Sequence, residues 1–345
     1  MKQGRIAVFD QIDNRDAAAL LVNGALHDLM IAPKDAQPTL GAIYRAKLGR
    51  PMKGQGGAIL DLGDGQKGFL RGAKGLSEGQ LITVQISSIA EPSKATPCTQ
   101  KIIFKGAHMI WTPGAPGRNI ARSIKDDDIR DRLEELAHDL LSNAGTNWGL
   151  ILRSTAASVA DETIRDEAEA LFNLGQSIMS DQSDAPCLLY EPALFDAALQ
   201  SWSTPGLDQI IDDPNSFEIL GIHDHIAPLD DVETLAKGAF FTIEPTRAFV
   251  AVDVNTGNDT SFVAGQNANI ATAKALPRAL RLRGLGGQIV VDFAPSPKKD
   301  RRRIEEALRA AFKADGIETA LVGWTQLGHF ELQRKRERVP LTACL

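Results

Sequence analysis

The chain has 345 residues, of which 43% are hydrophobic and 24% charged, a balance typical of a soluble globular protein with several subdomains. Its formal net charge of −6 excludes a generally basic nucleic-acid coat, although a local basic groove remains compatible with it. Cys98, Cys187 and Cys344 are too far apart for a disulfide framework or a zinc pattern. The sequence contains no membrane-length apolar run and no signal-peptide core, which predicts a cytoplasmic protein.

Short strand candidates dominate the first third of the chain. Residues 6–9 and 17–22 are apolar runs that predict an N-terminal sheet. From residue 39 to residue 105, apolar runs split by glycine follow one another closely. The four strand candidates in this region are 41–47, 57–63, 67–70 and 81–86. Closely spaced strands with glycine turns predict a small β-barrel.

One face of this predicted barrel carries cations and an aromatic side chain. Arg45 and Lys47 are two residues apart and share a strand face, and Lys67 stands two residues before Phe69. Cations beside an exposed ring suit a stacked base and its phosphates. The alternative is that Phe69 belongs to the barrel core and that the cations are only solvated. The Gly-Phe-Leu run at Phe69, together with residues 77–80, resembles an S1-type OB-fold, a common RNA-binding module.

An α/β segment follows the barrel. Residues 127–141 predict an amphipathic helix, residues 148–152 a buried strand, and residues 155–179 a long helix. The strand ends in Arg153 and Ser154, and a guanidinium beside a hydroxyl suits a phosphate group. The alternative is that Arg153 makes an ordinary surface ion pair.

Further α/β elements continue to about residue 232. Residues 187–190 are a strand candidate, and residues 192–201 are a helix candidate. His223 and His225 are two residues apart, but no cysteine or third histidine follows at a spacing that would complete a metal site. We therefore interpret both residues as surface or loop histidines.

Two strands that each lead into an aspartate bracket the most informative stretch. Residues 248–252 are apolar and meet Asp253, and residues 288–291 meet Asp292. Between the two strands, residues 267–283 predict a helix that stops at a glycine. A strand, a helix and a second strand predict a βαβ crossover. Such a crossover makes the strands parallel and brings their carboxyl ends to one edge of a sheet.

The predicted crossover places the two aspartates on strands about 4.8 Å apart. Two carboxylates at that spacing repel each other. A hard divalent cation removes this conflict, because Mg²⁺ takes one or two carboxylates together with water and phosphate oxygens. The alternative is that each aspartate merely ends a strand and caps a turn.

Two stretches around these aspartates resemble the signature of the ribonuclease E/G family of bacterial endoribonucleases. They are residues 247–257 and 280–293, and a weaker similarity covers nearly the whole chain. The resemblance implies a Mg²⁺-dependent endoribonuclease that cuts single-stranded RNA in RNA processing or decay. It also implies that Asp253 and Asp292 hold the catalytic Mg²⁺ and that Asn255 supports the site.

The resemblance further implies an α/β fold of several subdomains, with ribonuclease-H-like and deoxyribonuclease-I-like layers and an inserted S1-type OB-fold barrel. The ribonuclease-H-like subdomain is expected to comprise residues 1–36 and 186–232. Residues 37–106 are expected to form the RNA-binding barrel, and residues 107–185 a 5′-sensor-like subdomain. Residues 233–345 are expected to form the catalytic, deoxyribonuclease-I-like subdomain.

Several positions bear on how this chain would hold RNA. In the family, an arginine followed by a threonine binds the 5′-monophosphate, and Arg153 and Ser154 take those places. Residues 321–332 resemble the segment that supplies a second arginine, but Gln326 takes its place without a charge. Charge-assisted hydrogen bonds are about twice as strong as neutral ones, so we expect a reduced or absent 5′-end preference. Barrel residues 58–62 lack the family's aromatics, which predicts weaker single-strand binding.

A basic segment follows the second aspartate. Residues 298–313 predict a helix with Ile304, Leu308 and Phe312 facing inward. The start of this helix carries five cations, Lys298, Lys299, Arg301, Arg302 and Arg303. Cations at a helix N-terminus oppose the helix dipole, so nearby acids or RNA phosphates are expected to compensate them. The alternative is an ordinary solvated face.

The residues after Arg338 lack the Cys-Pro-x-Cys zinc link of tetrameric family members, and Cys344 alone cannot build a four-thiolate site. We therefore expect no structural zinc, and a monomer or weak dimer rather than the zinc-linked tetramer. Two other functions stay open. One is an RNA-binding regulator on a weakened nuclease scaffold, and the other is a Mg²⁺-dependent phosphodiesterase acting on other nucleic acids. The presence of both aspartates argues against a pure binder.

Overall fold

The computed structural model describes residues 4–91, 93–227, 229 and 232–345. The chain divides into two compact units. We call Met1–Asp35 together with Asp208–Leu345 the aspartate unit, because it carries Asp253 and Asp292, and we call Ala36–Leu207 the barrel unit. Among the described residues, no helix combines the length and the apolar character that crossing a membrane requires.

The aspartate unit begins with an antiparallel meander. Its strands are β1 (Arg5–Ile12), β2 (Arg15–Val22) and β3 (Ala25–Ile31). Both predicted N-terminal strands are therefore confirmed. Asp13 and Asn14 form the first turn with φ of 51° and 59°, a region that Asp and Asn tolerate better than most side chains. The third strand was not predicted, because His27 and Asp28 interrupt its apolar pattern.

The barrel unit begins with a closed five-stranded barrel. Its strands are β4 (Ile43–Met52), β5 (Gly57–Gly63), β6 (Gln66–Arg71), β7 (Leu81–Ile86) and β8 (Thr96–Thr99). Their order is β4-β5-β6-β8-β7, and pairing of β4 with β7 closes the barrel around residues such as Leu48, Leu60 and Val84. The predicted barrel is confirmed and is consistent with an OB-fold. Strand β8 was not predicted, because it has only 4 residues and one of them is a proline.

A four-stranded sheet with two helices follows in the barrel unit. Its elements are β9 (Phe104–Lys105), β10 (Met109–Pro113), β11 (Gly117–Ile120), α1 (Asp127–Ala144), β12 (Trp148–Leu152) and α2 (Asp161–Met179). Helix α2 begins later than predicted, because Ser154–Ser158 form a separate 3-10 turn. Arg132 explains the break. Its guanidinium binds the carbonyl oxygens of Ala156 and Val159, which a continuous helix would bond internally.

The barrel unit ends with a strand and a helix whose placement differs from the prediction. They are β13 (Cys187–Tyr190) and α3 (Leu194–Trp202). Residues 186–232 were expected to join the N-terminal strands, but β13 pairs antiparallel with β4. Strand β4 pairs with β5 only from Lys47 onward. Its residues 43–45 therefore have a backbone edge that β5 does not cover, and β13 pairs with that edge. The next strand, β14 (Gln209–Ile211), pairs parallel with β1 in the aspartate unit.

A six-stranded mixed sheet forms the rest of the aspartate unit. The remaining elements are α4 (Ser216–Ile219), α5 (Ile222–Ile226), β15 (Val232–Thr234), β16 (Phe240–Pro245), β17 (Val250–Asn255), α6 (Phe262–Leu282), β18 (Gly287–Asp292), α7 (Arg301–Asp315), β19 (Thr319–Trp324) and β20 (Phe330–Arg334). The strand order is β15-β16-β17-β18-β20-β19, and β17 and β18 run parallel while the other neighbours run antiparallel.

Helix α6 connects β17 to β18 and confirms the predicted βαβ crossover. It starts earlier than predicted, because the Ser261 hydroxyl accepts a hydrogen bond from the backbone N–H of Ala264 and caps the first turn. The helix stops before Gly284, whose φ is +66° and whose Cα faces the carbonyl of Val339 too closely to carry a side chain. Helices α6 and α7 share one hydrophobic core with the sheet, to which Ile304, Leu308 and Phe312 contribute as predicted.

Candidate active site

The structure places Asp253 and Asp292 directly opposite each other at one edge of the sheet. Asp253 lies near the end of β17 and Asp292 is the last residue of β18, and the two are register partners in the parallel ladder. Both residues are exposed. The sequence therefore predicted correctly that a parallel crossover brings these two carboxylates together.

Asn255 lies on the same strand face as Asp253, two residues further along β17. Its side-chain Nδ2 donates a hydrogen bond of 2.7 Å to Asp253 Oδ2. The amide therefore fixes the orientation of one carboxylate. The chain then turns through Gly257, whose φ is +66° and whose Cα faces the carbonyl of Gly238 closely, so only glycine fits there.

A buried asparagine that the sequence analysis missed holds the loop after Asp292. Asn269 lies on α6 and is fully buried. Its Nδ2 donates to the Ala294 carbonyl and its Oδ1 accepts from the Ala294 N–H, both at 2.9 Å. Because this pair of bonds fixes the backbone two residues after Asp292, Asn269 positions the second aspartate. The available signal was a polar residue at a core position of the helix.

His329 is a second neighbour that the sequence analysis missed. Its Nε2 lies 3.8 Å from Asp292 Oδ2, and its side chain is partly exposed. The imidazole is presented by the turn between β19 and β20, which Thr325 stabilises by accepting a hydrogen bond from the His329 N–H on its hydroxyl. The sequence offered no sign of this contact, because β20 meets β18 only after the intervening α7 and β19.

The two carboxylates suit a hard divalent cation. Within residues 4–91, 93–227, 229 and 232–345, no lysine or arginine lies within ion-pair distance of Asp253 or Asp292, so neither carboxylate is neutralised by the fold. The same part of the chain contains no group of three or more His, Cys, Asp or Glu residues placed to hold a metal. Two exposed carboxylates match the way Mg²⁺ binds, with most other ligands supplied by water and phosphate oxygens.

The predicted RNA-contacting residues of the barrel fall into two groups. Lys67 and Phe69 point outward from β6, where Lys67 is exposed and Phe69 is half-buried with its ring over Gly57. Lys47 is exposed on β4. Asp61 on β5 lies between Lys47 and Lys67, because it is the cross-strand neighbour of both. These three predicted residues therefore occupy one side of the barrel. A groove of about 670 Å³ on that side is lined by Lys47 and Lys67 among others.

Arg45, the fourth predicted barrel residue, is engaged by the fold. Its guanidinium forms an ion pair of 3.0 Å with Asp181 and also binds the Asp181 carbonyl, which leaves 16% of the side chain exposed. Its Nη1 lies 3.4 Å from the Thr83 hydroxyl. RNA binding by Arg45 stays a prediction, but its cation is already paired with Asp181. The spacing of two residues set its face but could not reveal a partner more than a hundred residues away.

Arg153 is likewise tied to its own unit. Its Nη1 donates to the carbonyl oxygens of Gly106 and Ala107, at 2.6 and 2.9 Å. Burial lowers the pKa of the Arg153 guanidinium, and the nearby Glu167 partly opposes that shift. Ser154 is exposed at the start of the 3-10 turn. Arg153 Nη1 thus holds the backbone of residues 106–107 in place. Among the described residues, no protein acceptor is found for the other two guanidinium nitrogens.

Three other residues considered in the sequence, His223, His225 and Gln326, lie at or near the surface. His223 lies on α5 and packs its ring against Phe217 at 6.0 Å, and neither His223 nor His225 belongs to a metal cluster of the described residues. Gln326 is exposed in the turn between β19 and β20. Its proposed effect on 5′-end preference stays a prediction.

The fold and the site define a class of α/β protein with a closed OB-like barrel and two uncompensated carboxylates at a sheet edge. Comparison with known proteins gives the family. The model of the ribonuclease E/G family matches residues 104–226 and 211–337, and the chain belongs to this family. Ribonuclease G of Haemophilus influenzae is 26% identical over 95% of this chain and 79% of its own length.

Two other relatives show the same level of similarity. Ribonuclease G of Escherichia coli is 26% identical over 93% of this chain and 77% of its own length. Ribonuclease E of a Nostoc species is 27% identical over 94% of this chain but only 55% of its own length. The similarity to the ribonuclease G proteins therefore extends over most of both chains.

Proposed function

We propose that this protein is an endoribonuclease that cuts single-stranded RNA at a Mg²⁺ ion held by Asp253 and Asp292. The coarser assignment, an endoribonuclease of the ribonuclease E/G family, follows from the family membership and from relatives named ribonuclease G and ribonuclease E. The observation that carries the finer proposal is the direct pairing of two exposed carboxylates that have no lysine or arginine partner among the described residues.

The residues around the aspartate pair have separate roles in this proposal. Asp253 and Asp292 supply the oxygen ligands, and Asn255 holds Asp253 in its orientation and offers its amide to the attacking water or the phosphate. Asn269 keeps the loop after Asp292 in place. When bound, Mg²⁺ would polarise the scissile phosphate and lower the pKa of a water molecule. The two carboxylates would otherwise repel the scissile phosphate, and the bound cation would offset that repulsion.

The barrel unit would hold the RNA strand. Phe69 offers a half-buried ring for a base, and Lys47 and Lys67 offer charges for its phosphates on the same side of the barrel. This arrangement supports an S1-type role, in which each stacked base contributes about 1–3 kcal/mol. Ser154, with the free nitrogens of Arg153, would contact the 5′ end. Because Arg153 already donates to two carbonyls, we expect a weak 5′-end preference.

A cleavage assay tests the proposal against its two alternatives. The substrate is one labelled single-stranded RNA carrying either a 5′-monophosphate or a 5′-hydroxyl, incubated with Mg²⁺ or EDTA, beside the matching DNA and a small phosphodiester. We expect internal cuts in RNA with Mg²⁺, none in EDTA, and similar rates for the two 5′ ends. RNA binding without cutting would instead indicate a regulator. Equal cutting of DNA or of the small phosphodiester would indicate a general phosphodiesterase.

A further inference from the structure

The basic segment that follows Asp292 lies at the same sheet edge as the aspartates. Strand β18 pairs with β20 and β20 pairs with β19, so Val291, Phe330 and Trp324 stand side by side at this edge. Residues Lys298–Asp300 form a short 3-10 turn, and α7 then begins at Arg301. None of the residue roles in the proposed function involves this segment.

Arg301 is held in place by an aromatic platform. Its guanidinium carbon lies 4.5 Å from the centre of the Trp324 ring, which is the geometry of a stacked cation. Trp324 is itself fixed, because its indole N–H donates to Glu305 Oε1 at 2.7 Å. The rings of Phe293 and Phe330 pack against the indole at 5.7 and 5.2 Å. The Arg301 side chain is therefore ordered before any ligand binds.

The positive charge of this segment is only partly compensated by the fold, through Asp300 within the segment and through Glu306. No carboxylate lies within ion-pair distance of Arg301, Lys298 or Lys299 in the described part of the chain, and the first turn of α7 contains no acidic residue. Arg302 differs, because it forms an ion pair of 3.0 Å with Glu306. Arg301, Lys298 and Lys299 thus carry positive charge without an ion-pair partner among the described residues, close to the edge that bears Asp253 and Asp292.

Contacts connect Arg301 to the second aspartate. Arg301 Nη2 lies against the turn before β20. It is 3.4 Å from the position that a Cβ atom on Gly328 would occupy. The next residue along this turn is His329, whose Nε2 lies 3.8 Å from Asp292 Oδ2. Arg301 and Asp292 therefore both lie close to the turn that contains Gly328 and His329.

We propose that Arg301, stacked on Trp324, binds an RNA phosphate adjacent to the one that is cut, and that Lys298 and Lys299 continue this contact along the strand. A guanidinium that stacks through its face keeps its edge N–H groups for a phosphate, with which it can bond bidentately. This inference rests on the proposed function and adds to it the direction in which the strand leaves the aspartate pair.

The first test measures how the affinity for single-stranded RNA depends on salt, in EDTA so that no cleavage occurs. Each phosphate contact contributes about −0.7 to the slope of log affinity against log salt for a single strand. We expect Arg301→Ala to reduce the magnitude of this slope by about 0.7 and to weaken RNA binding about tenfold near physiological salt. Arg302→Ala is the matched control, because its cation is already paired, and it should leave the slope unchanged.

The second test locates the phosphate. Single methylphosphonate linkages, which remove one backbone charge at a time, are placed on either side of the cleavage site. At one position, a methylphosphonate linkage should weaken binding by the wild-type protein as much as Arg301→Ala weakens binding to unmodified RNA. The same linkage should not weaken binding by Arg301→Ala any further. Trp324→Leu should resemble Arg301→Ala, whereas Trp324→Phe should retain most of the effect, which separates positioning by the ring from simple unfolding.

The outcomes distinguish this inference from the proposed function. If Arg301→Ala binds RNA with an unchanged salt slope while the wild-type protein cuts RNA with Mg²⁺, the inference is wrong and the proposed function stands. If no linkage shows equal and non-additive losses, the phosphate contact is also refuted. If the wild-type protein neither binds nor cuts RNA, both proposals fail.

Discussion

The two ends of β18 and β20 use charge in opposite ways. At the end where Gly287 faces Arg334, the charges are buried, and Arg334 Nη2 lies 2.7 Å from Asp315 Oδ2 in an ion pair that is poorly aligned as a hydrogen bond. At the other end, Asp292 stands exposed beside Asp253, with no lysine or arginine partner among the described residues. One sheet therefore carries a charge cluster that the fold requires and a carboxylate pair that it does not.

The buried end shows what it costs to place charges inside this fold. Arg281 shares Asp315 with Arg334 and also faces Asp28 at 3.6 Å. Burial lowers the pKa of the Arg281 and Arg334 guanidinium groups to about 10. Such groups are tolerated only because each has a partner. The exposed aspartates carry no such constraint, so their placement is better explained by a ligand than by stability.

The largest expected effect concerns Asp253 at the exposed end. Asp253→Asn should lower RNA cleavage at least about 10⁴-fold, roughly 5 kcal/mol of transition-state stabilisation, because one of the two metal-binding carboxylates is lost. The free energy of unfolding should change by less than about 0.5 kcal/mol, because the residue is exposed. Single-turnover cleavage and urea unfolding measure both quantities. Asp259→Asn, an exposed neighbour, should stay active, and full activity of Asp253→Asn would refute the metal assignment.

The opposite pattern is expected at the buried end. Asp315→Asn should lower the free energy of unfolding by about 3–5 kcal/mol, because it leaves two buried guanidinium groups without their shared carboxylate. Glu306→Gln removes an exposed carboxylate from the same helix and should cost under about 1 kcal/mol. Urea unfolding of both variants makes the comparison. Equal small losses would mean that the buried cluster contributes little to stability.

An intermediate effect is expected for Asn269, which connects the fold to the exposed end. Asn269→Ala should cost about 2 kcal/mol of stability, because two buried backbone groups of Ala294 lose their partner. It should also slow cleavage more than it weakens RNA binding, because the loop after Asp292 loosens. Asn267→Ala, an exposed asparagine on the same helix, is the control for both measurements. A stability loss with an unchanged cleavage rate would restrict Asn269 to a structural role.

The smallest effect concerns the pH dependence of the buried end. Burial, with a contribution from Arg281, lowers the pKa of His27 from 6.5 to about 4. The unfolded chain therefore binds a proton at higher pH than the folded chain, and stability must fall as pH drops from about 6.5 towards 4. His27→Gln should reduce this loss. Urea unfolding at pH 7 and pH 5 measures it, and identical pH dependence in both proteins would contradict the assignment.

The features that the sequence predicted best are those set by local periodicity. The apolar runs before Asp253 and Asp292, with a helix between them, predict parallel neighbours, and the register of β17 and β18 confirms the pairing of the aspartates. Chain direction and strand spacing were sufficient for this prediction. The ribonuclease-H-like and deoxyribonuclease-I-like layers came only from resemblance and stay predictions.

The features that the sequence could not predict depend on contacts between distant residues. Arg45 pairs with Asp181, and Arg153 donates to the 106–107 loop, so two residues expected to bind RNA also serve the fold. His329 reaches Asp292 through a strand pairing that no local pattern encodes. Local sequence sets the face on which a side chain lies, but its partners depend on the tertiary fold.

Direct metal binding is the measurement that addresses the aspartate pair most simply. Mn²⁺ can replace Mg²⁺, and electron paramagnetic resonance can count the ions bound to the wild-type protein, to Asp253→Asn and Asp292→Asn, and to the control Asp259→Asn. We expect the wild-type protein and the control to bind an ion that Mg²⁺ displaces, and both site variants to lose it. Retention of that ion with unchanged affinity in both site variants would show that Asp253 and Asp292 do not hold the metal.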